Sequence, residues 1–75
     1  MLCLADIKPG ERAFVKEITA KGDMRRRFQD IGLVRGTRIR CVGTAPFGDP
    51  SAFLVRGAVV AIRAQDSKNI LVDRC

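Results

Sequence analysis

Apolar and polar positions change their spacing along the chain, and each change marks an element. Pro9 and Gly10 set a turn, after which Glu11 to Ile18 reads as a strand, with Ala13 and Val15 on one face and Phe14, Lys16 and Ile18 on the other. Val15 and Ile18 both call for burial although they alternate out of phase, so this strand is expected to contain a bulge. The spacing then lengthens. Met24, Phe28 and Ile31 fall at i, i+4 and i+7, the buried stripe of a helix that Gly22 and Asp23 introduce, with Asp23 as its N-cap and an end near Ile31. Gly32 suits the left-handed C′ position, and Leu33 behind it is placed to pack back on Phe28. A helix this short is unstable in isolation and must dock on something.

Val34 to Thr37 reads as a β-turn in which Gly36 supplies the positive φ of position i+2 in a type II turn. From Thr37 the period is two: Ile39 and Cys41 alternate with Arg38, Arg40 and Val42, a half-buried strand whose basic residues face outward. Pro46, Gly48, Asp49 and Pro50 make Ala45 to Pro50 a long rigid turn. Ala52 to Val55 and Ala58 to Ile62 are apolar strands joined so closely at Arg56 and Gly57 that only a tight hairpin fits. Gln65 to Asn69 is expected to make one helical turn, and Ile70 to Val72 a last strand. The pattern therefore predicts a mainly β fold, a small five-stranded barrel with one inserted short α-helix, closed because closure removes exposed sheet edges.

Length agrees with this. Seventy-five residues make one domain, residues 1–75, without repeats or linkers, and a chain this small has little room for a large internal active-site cavity. The longest apolar run, Ala58 to Ile62, is far too short to cross a bilayer. Met1 to Ala5 is apolar, but its first basic residue, Lys8, lies behind it, and Pro9 and Gly10 end the patch before a signal-peptide core can form, so a cytoplasmic location is expected.

Charge adds a direction. Fourteen Lys and Arg against eight Asp and Glu give +6. The excess gathers in residues 21–40, where Lys21, Arg25, Arg26, Arg27, Arg35, Arg38 and Arg40 meet only Asp23 and Asp30, so one face or end should be basic. Arg25, Arg26 and Arg27 are expected in the first helical turn, where the dipole disfavours cations, with Asp30 in reach of Arg26 and Arg27. They form either a solvated face or a partner-binding patch. Phe47, between Pro46 and Gly48, has two uses open to it: a contact anchor at a loop tip, or a plug folded inward over an open barrel end, which the shortage of other large residues favours.

Reactive chemistry is sparse. Cys3, Cys41 and Cys75 are odd in number and show no C-x-x-C pair, which fits neither a disulfide framework nor a zinc motif; Cys41 reads as a small core residue and the other two as incidental thiols. Without His, and with carboxylates that show no motif, no Fe(II) site of the imidazole and carboxylate kind can be assembled, so no metal site and no cofactor are expected. The same lack of His leaves Ser and Cys without a base, and there is no phosphate-binding loop, so an enzyme is not expected.

Two stretches are more specific than the barrel pattern: RFQDIGLVRGTRI at residues 27–39 and APFGDP at residues 45–50. With Lys8-Pro9-Gly10-Glu11, Val55-Arg56-Gly57, Ala61-Ile62-Arg63 and Ile70-Leu71-Val72 in the same order, the chain resembles the FeoA family of small ferrous iron transport proteins along nearly its whole length. The resemblance implies an SH3-like barrel with an inserted helix, and a cytosolic accessory that docks on the FeoB-type GTP-binding Fe(II) permease and modulates transport, with no transport pathway of its own and no insertion into the membrane. Family-level description also mentions transition metals, for which the residues offer only weak, adventitious binding. One departure is visible: Arg35 stands where Pro often precedes the turn glycine, a position that Arg also tolerates. On this reading Arg25, Arg26, Arg27, Arg35, Arg38, Pro46, Phe47 and Gly48 are candidate partner contacts, while Asp23, Gly32, Gly36 and Gly57 shape caps and turns. Two other readings stay open. A small basic barrel can bind nucleic acid, although Phe28 and Phe53 are expected in the core and few rings remain for stacking. A similar domain also ends metal-dependent transcriptional repressors, and this chain would then be a free-standing relative.

Overall fold

The computed structural model describes residues 2–74, so the reading of Cys75 and that of Met1 lie outside the described residues. A 3₁₀ turn at Leu4–Asp6 is followed by β1 (Arg12–Ile18), α1 (Gly22–Asp30), β2 (Arg38–Thr44), β3 (Ser51–Val55), β4 (Ala58–Ile62), α2 (Ala64–Ser67) and β5 (Ile70–Arg74). The five strands form one antiparallel sheet in the order β4-β3-β2-β1-β5. It curls around a single core in which Phe53, Leu4, Leu33, Ile39 and Ile70 are the largest fully buried side chains.

The bulge in β1 is where Val15 and Ile18 require it. Pairing with β5 slips between Val15 and Glu17, the extra residue resets the phase, and both apolar side chains reach the core. A second slip in β2, between Cys41 and Gly43, leaves Cys41 buried and turns Val42 outward. The two-residue hairpin between β3 and β4 has Arg56 and Gly57 both at positive φ, 51° and 83°, the type I′ geometry that matches strand twist.

Closure differs from expectation. Among the described residues no ladder joins β4 to β5, and the sheet ends at those two strands. The segment before the 3₁₀ turn covers the β5 edge instead: Val72 N–H donates to the Leu2 carbonyl at 2.9 Å, and Cys3 bridges Leu71. An edge can be satisfied by any extended backbone, so a short leading segment serves as well as a fifth ladder.

The helix start also differs. Lys21 occupies the N-cap position and no side chain caps the helix, so Asp23 lies inside the first turn and contributes only a charge favourable to the dipole. Because α1 begins at Gly22, Arg25 ends the first turn and Arg27 stands in the last, where a cation is favoured. The dipole penalty expected for all three arginines is therefore left to Arg25 alone. Of the stripe, Phe28 is buried and Met24 half-buried, whereas Ile31, beyond the last helical residue, swings off the stripe and is 39% exposed.

The helix end is as the sequence requires. Gly32 has φ 96°; its N–H donates to the Gln29 carbonyl at 3.0 Å, and Leu33 N–H donates to the Phe28 carbonyl at 2.9 Å, the paired bonds of a Schellman motif with Phe28 and Leu33 both in the core. Replacing Gly32 by Val is expected to cost about 1–2 kcal/mol, because a side chain is placed in the left-handed region. The new Cβ would also lie 2.7 Å from Arg56 Cδ, a side chain free to move aside. Thermal unfolding would read this as a fall of about 4–8 °C per kcal/mol for a domain of this size, and an unchanged midpoint would contradict the motif's role.

The base of the barrel carries the acid-sensitive groups. The Asp6 carboxylate accepts the Cys3 N–H at 3.0 Å, and the Glu11 carboxylate accepts the Lys8 N–H at 2.7 Å and pairs with Arg74; these bonds hold both pKa values below the ordinary range. Depressed carboxylates stabilise the fold above their unfolded pKa and cease to do so as pH falls through the folded value. Acid titration followed by amide NMR is expected to release the Cys3 and Lys8 amides below the ordinary carboxylate range, ahead of the core amides.

Candidate functional site: basic depressions and an exposed aromatic tip

The arginines singled out in the sequence do not form one patch. Arg25 and Arg35 border a depression of about 380 Å³ together with Lys16 and Glu17. Arg27 borders a second, of about 230 Å³, walled by Met24, Phe28, Ile31 and Val60. Arg38 belongs to a third, with Arg12, Arg40 and Arg56. The single basic face is thus resolved into separate depressions, because the strand and helix arginines leave the backbone in directions their sequence proximity does not constrain.

Several of these side chains also have structural partners. Arg25 Nη1 donates to the Ile18 carbonyl at 2.8 Å in a partly buried contact, tying α1 to the end of β1. The Arg38 guanidinium lies over the Phe14 ring, 5.5 Å from its centroid. The expected pairs of Arg26 and Arg27 with Asp30 are not made; the ion pair found among the described residues joins Arg74 to Glu11. Exposed i, i+4 pairs contribute only a few tenths of a kcal/mol, so entropy easily keeps such long side chains apart.

Arg35 is exposed in the Val34–Thr37 turn, where Gly36 has φ 89° and Thr37 N–H donates to the Val34 carbonyl at 3.0 Å. This turn is sewn to the barrel on both sides. Gly36 N–H donates to the Val15 carbonyl at 2.8 Å, Val15 N–H donates to the Thr37 carbonyl at 2.9 Å, and buried Thr37 Oγ1 donates to the Gly32 carbonyl at 2.9 Å.

Phe47 overturns its expected use as an inward plug: it is 98% exposed. The core closes without it, on Phe53 and Leu33. Its loop is nevertheless tightly specified. Gly48 N–H donates to the Ala45 carbonyl at 2.7 Å, a turn with Pro46 at i+1 and Phe47 at i+2; Ala45 N–H donates to the Pro50 carbonyl at 3.0 Å. Asp49 Oδ1 accepts the Ala64 N–H at 2.8 Å, capping α2 from another part of the chain. An aromatic ring is therefore held out in solvent by a pinned loop.

Cys41 is buried and its Sγ is 3.7 Å from the Gly43 carbonyl, in keeping with a core role, and Cys3 Sγ is 3.4 Å from Asp6 Oδ2. Among the described residues no three His, Cys, Asp or Glu side chains gather closely enough to hold a metal ion. No helix is long and apolar enough to cross a membrane.

The FeoA domain model matches residues 2–74. The chain belongs to the FeoA family. The FeoA protein of Chlorobium tepidum, solved in solution by NMR, is 34% identical and superposes with a TM-score of 0.91 over 97% of this chain and 70% of that one. The FeoA of Stenotrophomonas maltophilia, crystallised with zinc and described as a procaryotic SH3 domain protein and a candidate ferrous iron transport activating factor, is 26% identical, with a TM-score of 0.86 over 97% of this chain and 91% of that one. A manganese-dependent transcriptional repressor, 23% identical, contains the same fold with a TM-score of 0.86 over 99% of this chain and 41% of its own length. That last likeness shows the fold alone. No curated protein matches the chain at the level of sequence. The FeoA family and its SH3-like barrel fold are thereby shown for this chain.

Arg12, Arg40 and Arg56 were not singled out as contacts in the sequence reading, yet they form the most concentrated positive site. The parity of β1 and β2 contained the signal, since Arg12 alternates with buried Ala13, and Arg38 and Arg40 with buried Ile39; the register that sets Arg12 against Arg40 had no local mark.

The division among the arginines can be tested. Arg25→Ala is expected to lower stability by about 1 kcal/mol through the lost bond to Ile18, whereas Arg26→Gln with Arg27→Gln should stay within about 0.5 kcal/mol of the parent. Urea denaturation of the two variants distinguishes them, and equal losses would show that Arg25 is no more structural than its neighbours.

Proposed function

We propose that this FeoA-family chain is a cytosolic accessory of ferrous iron uptake that docks on the FeoB-type permease and modulates transport, without catalytic chemistry of its own. The observation that carries the reading is Phe47, a fully exposed aromatic side chain on a loop fixed by its own turn and by the Asp49 bond to Ala64. An exposed ring gains nothing for folding, and a pinned one loses little entropy on burial in a partner. Arg26, Arg27 and Arg35 are exposed without the ion pairs that would occupy them, and are open to acidic groups of a partner elsewhere on the surface.

The ring inventory disfavours the nucleic acid reading. Phe28 and Phe53 are buried and Phe14 lies beneath Arg38, which leaves Phe47 as the open ring, and a single ring makes a poor stacking platform for a strand.

Purified detergent-solubilised FeoB is expected to bind the immobilised parent chain, and Phe47→Ala to weaken that binding tenfold or more, with an unchanged melting temperature because the ring packs on nothing. Failure of the parent to bind FeoB would overturn the docking role. Equal binding by Phe47→Ala would remove the loop tip from the contact.

A further inference from the structure

On the outer face of the sheet, β1, β2, β3 and the β3–β4 hairpin enclose a depression of about 460 Å³ bordered by Arg12, Arg38, Arg40 and Arg56, with Thr37, Leu54 and Gly57 completing its lining. The ladder places Arg12 directly opposite Arg40, and Arg40 opposite Leu54, so all three side chains leave the sheet on the same side. Val59, 64% exposed, continues the row beyond Leu54. No Asp or Glu borders the depression, and among the described residues none of its four arginines lies in an ion pair. Like charges set directly opposite each other across a ladder work against folding, and nothing in the sheet requires them there.

We infer that this face is a docking site for an acidic, extended segment of a protein, one in which carboxylates flank an apolar side chain. The inference rests on the accessory reading above for its setting in the cell and deepens it by giving the partner's chemistry. Charge complementarity commits the occupant to an anion, and guanidinium forks accept carboxylates in a two-pronged geometry. The lining then narrows the class. Leu54 and Val59 offer an apolar strip beside the cations, which suits a side chain of an extended peptide; the one ring at this face, Phe14, is covered by Arg38 and cannot stack on a base. Arg38 is held over Phe14, so part of the site is oriented before anything binds.

The test uses a fluorescent decapeptide alternating Glu with Leu, the intact 75-residue chain and variants of equal charge loss. Arg12→Gln with Arg40→Gln should weaken the peptide tenfold or more and hold or raise the melting temperature, since a like-charge pair is removed. Arg63→Gln with Lys68→Gln, exposed and outside the depression, should bind within twofold of the parent. Equal weakening by both pairs would mean that only net charge is sensed, and would overturn the site. A single-stranded oligothymidylate of the same charge that binds as tightly, and is lost with Arg12 and Arg40, would overturn the peptide class in favour of nucleic acid. In the FeoB binding experiment, loss of retention by the Arg12, Arg40 variant supports the inference. Retention unchanged in that variant but lost in Phe47→Ala overturns it while keeping the accessory role. If the parent itself is not retained, that role fails, and the peptide measurements still decide whether the face is an acidic-segment site.

Discussion

The corner from Phe28 to Thr37 is the constraint on which the rest of this structure depends. A nine-residue helix has too few internal bonds to persist alone, so its position must be imposed from its ends. At its C-terminus Gly32 turns the chain in the left-handed region and Leu33 drops into the core, and Thr37 Oγ1 then fastens the Gly32 carbonyl to the start of β2. Because the same turn bonds to Val15 through Gly36 and Thr37, the bulged strand, the helix end and β2 are fixed by one small network. A buried hydroxyl that leaves its acceptor unpaired is costly, which makes this corner intolerant of partial formation.

That corner also determines what the surface can present. The helix lies where Arg25 reaches the Ile18 carbonyl, which removes one arginine from the free set and leaves Arg26 and Arg27 to solvent. The β3–β4 hairpin passes close to Gly32, with Arg56 Cδ 2.7 Å from where a Cβ would stand, so the absent side chain at Gly32 leaves room for an arginine that borders the basic depression.

Much of this was legible in the sequence, and the reason is local. Strand periods, the β1 bulge, the Gly32 stop, the Gly36 turn and the Arg56-Gly57 hairpin each depend on residues within a few positions of one another. What could not be read depends on partners far along the chain. The Arg25 bond to Ile18 crosses a loop, Asp49 caps a helix that begins at Ala64, and Leu2 covers the edge of β5. Asp23 looked like a cap because Asp suits that position, but Gly22 at φ 63° is already the first helical residue and the cap position falls on Lys21, two residues earlier. Phe47 looked like a plug because large residues are scarce; the core, however, is small enough to fill with Phe28, Phe53 and aliphatic side chains. The candidate site was legible only as an excess of charge. Its concentration at Arg12 and Arg40 arises from strand register, which no single stretch of sequence specifies.

The exposed features share a physical character that separates them from the fold's own needs. A domain of this size has only a small margin of stability, so opposed arginines, an open aromatic ring and an outward Val59 are each tolerated against that margin. The core, by contrast, has no buried side-chain polar atom lacking a hydrogen-bond partner among the described residues. A chain that satisfies its interior so completely, and leaves its outer face with unpaired cations beside apolar side chains, concentrates its unfavourable terms where a second molecule can relieve them. An acidic segment laid across the sheet would neutralise the Arg12 and Arg40 repulsion, and burial of Phe47 would remove apolar area from water. Both gains come with little reorganisation of the barrel, because the groups involved project from ladders and turns already fixed by the fold.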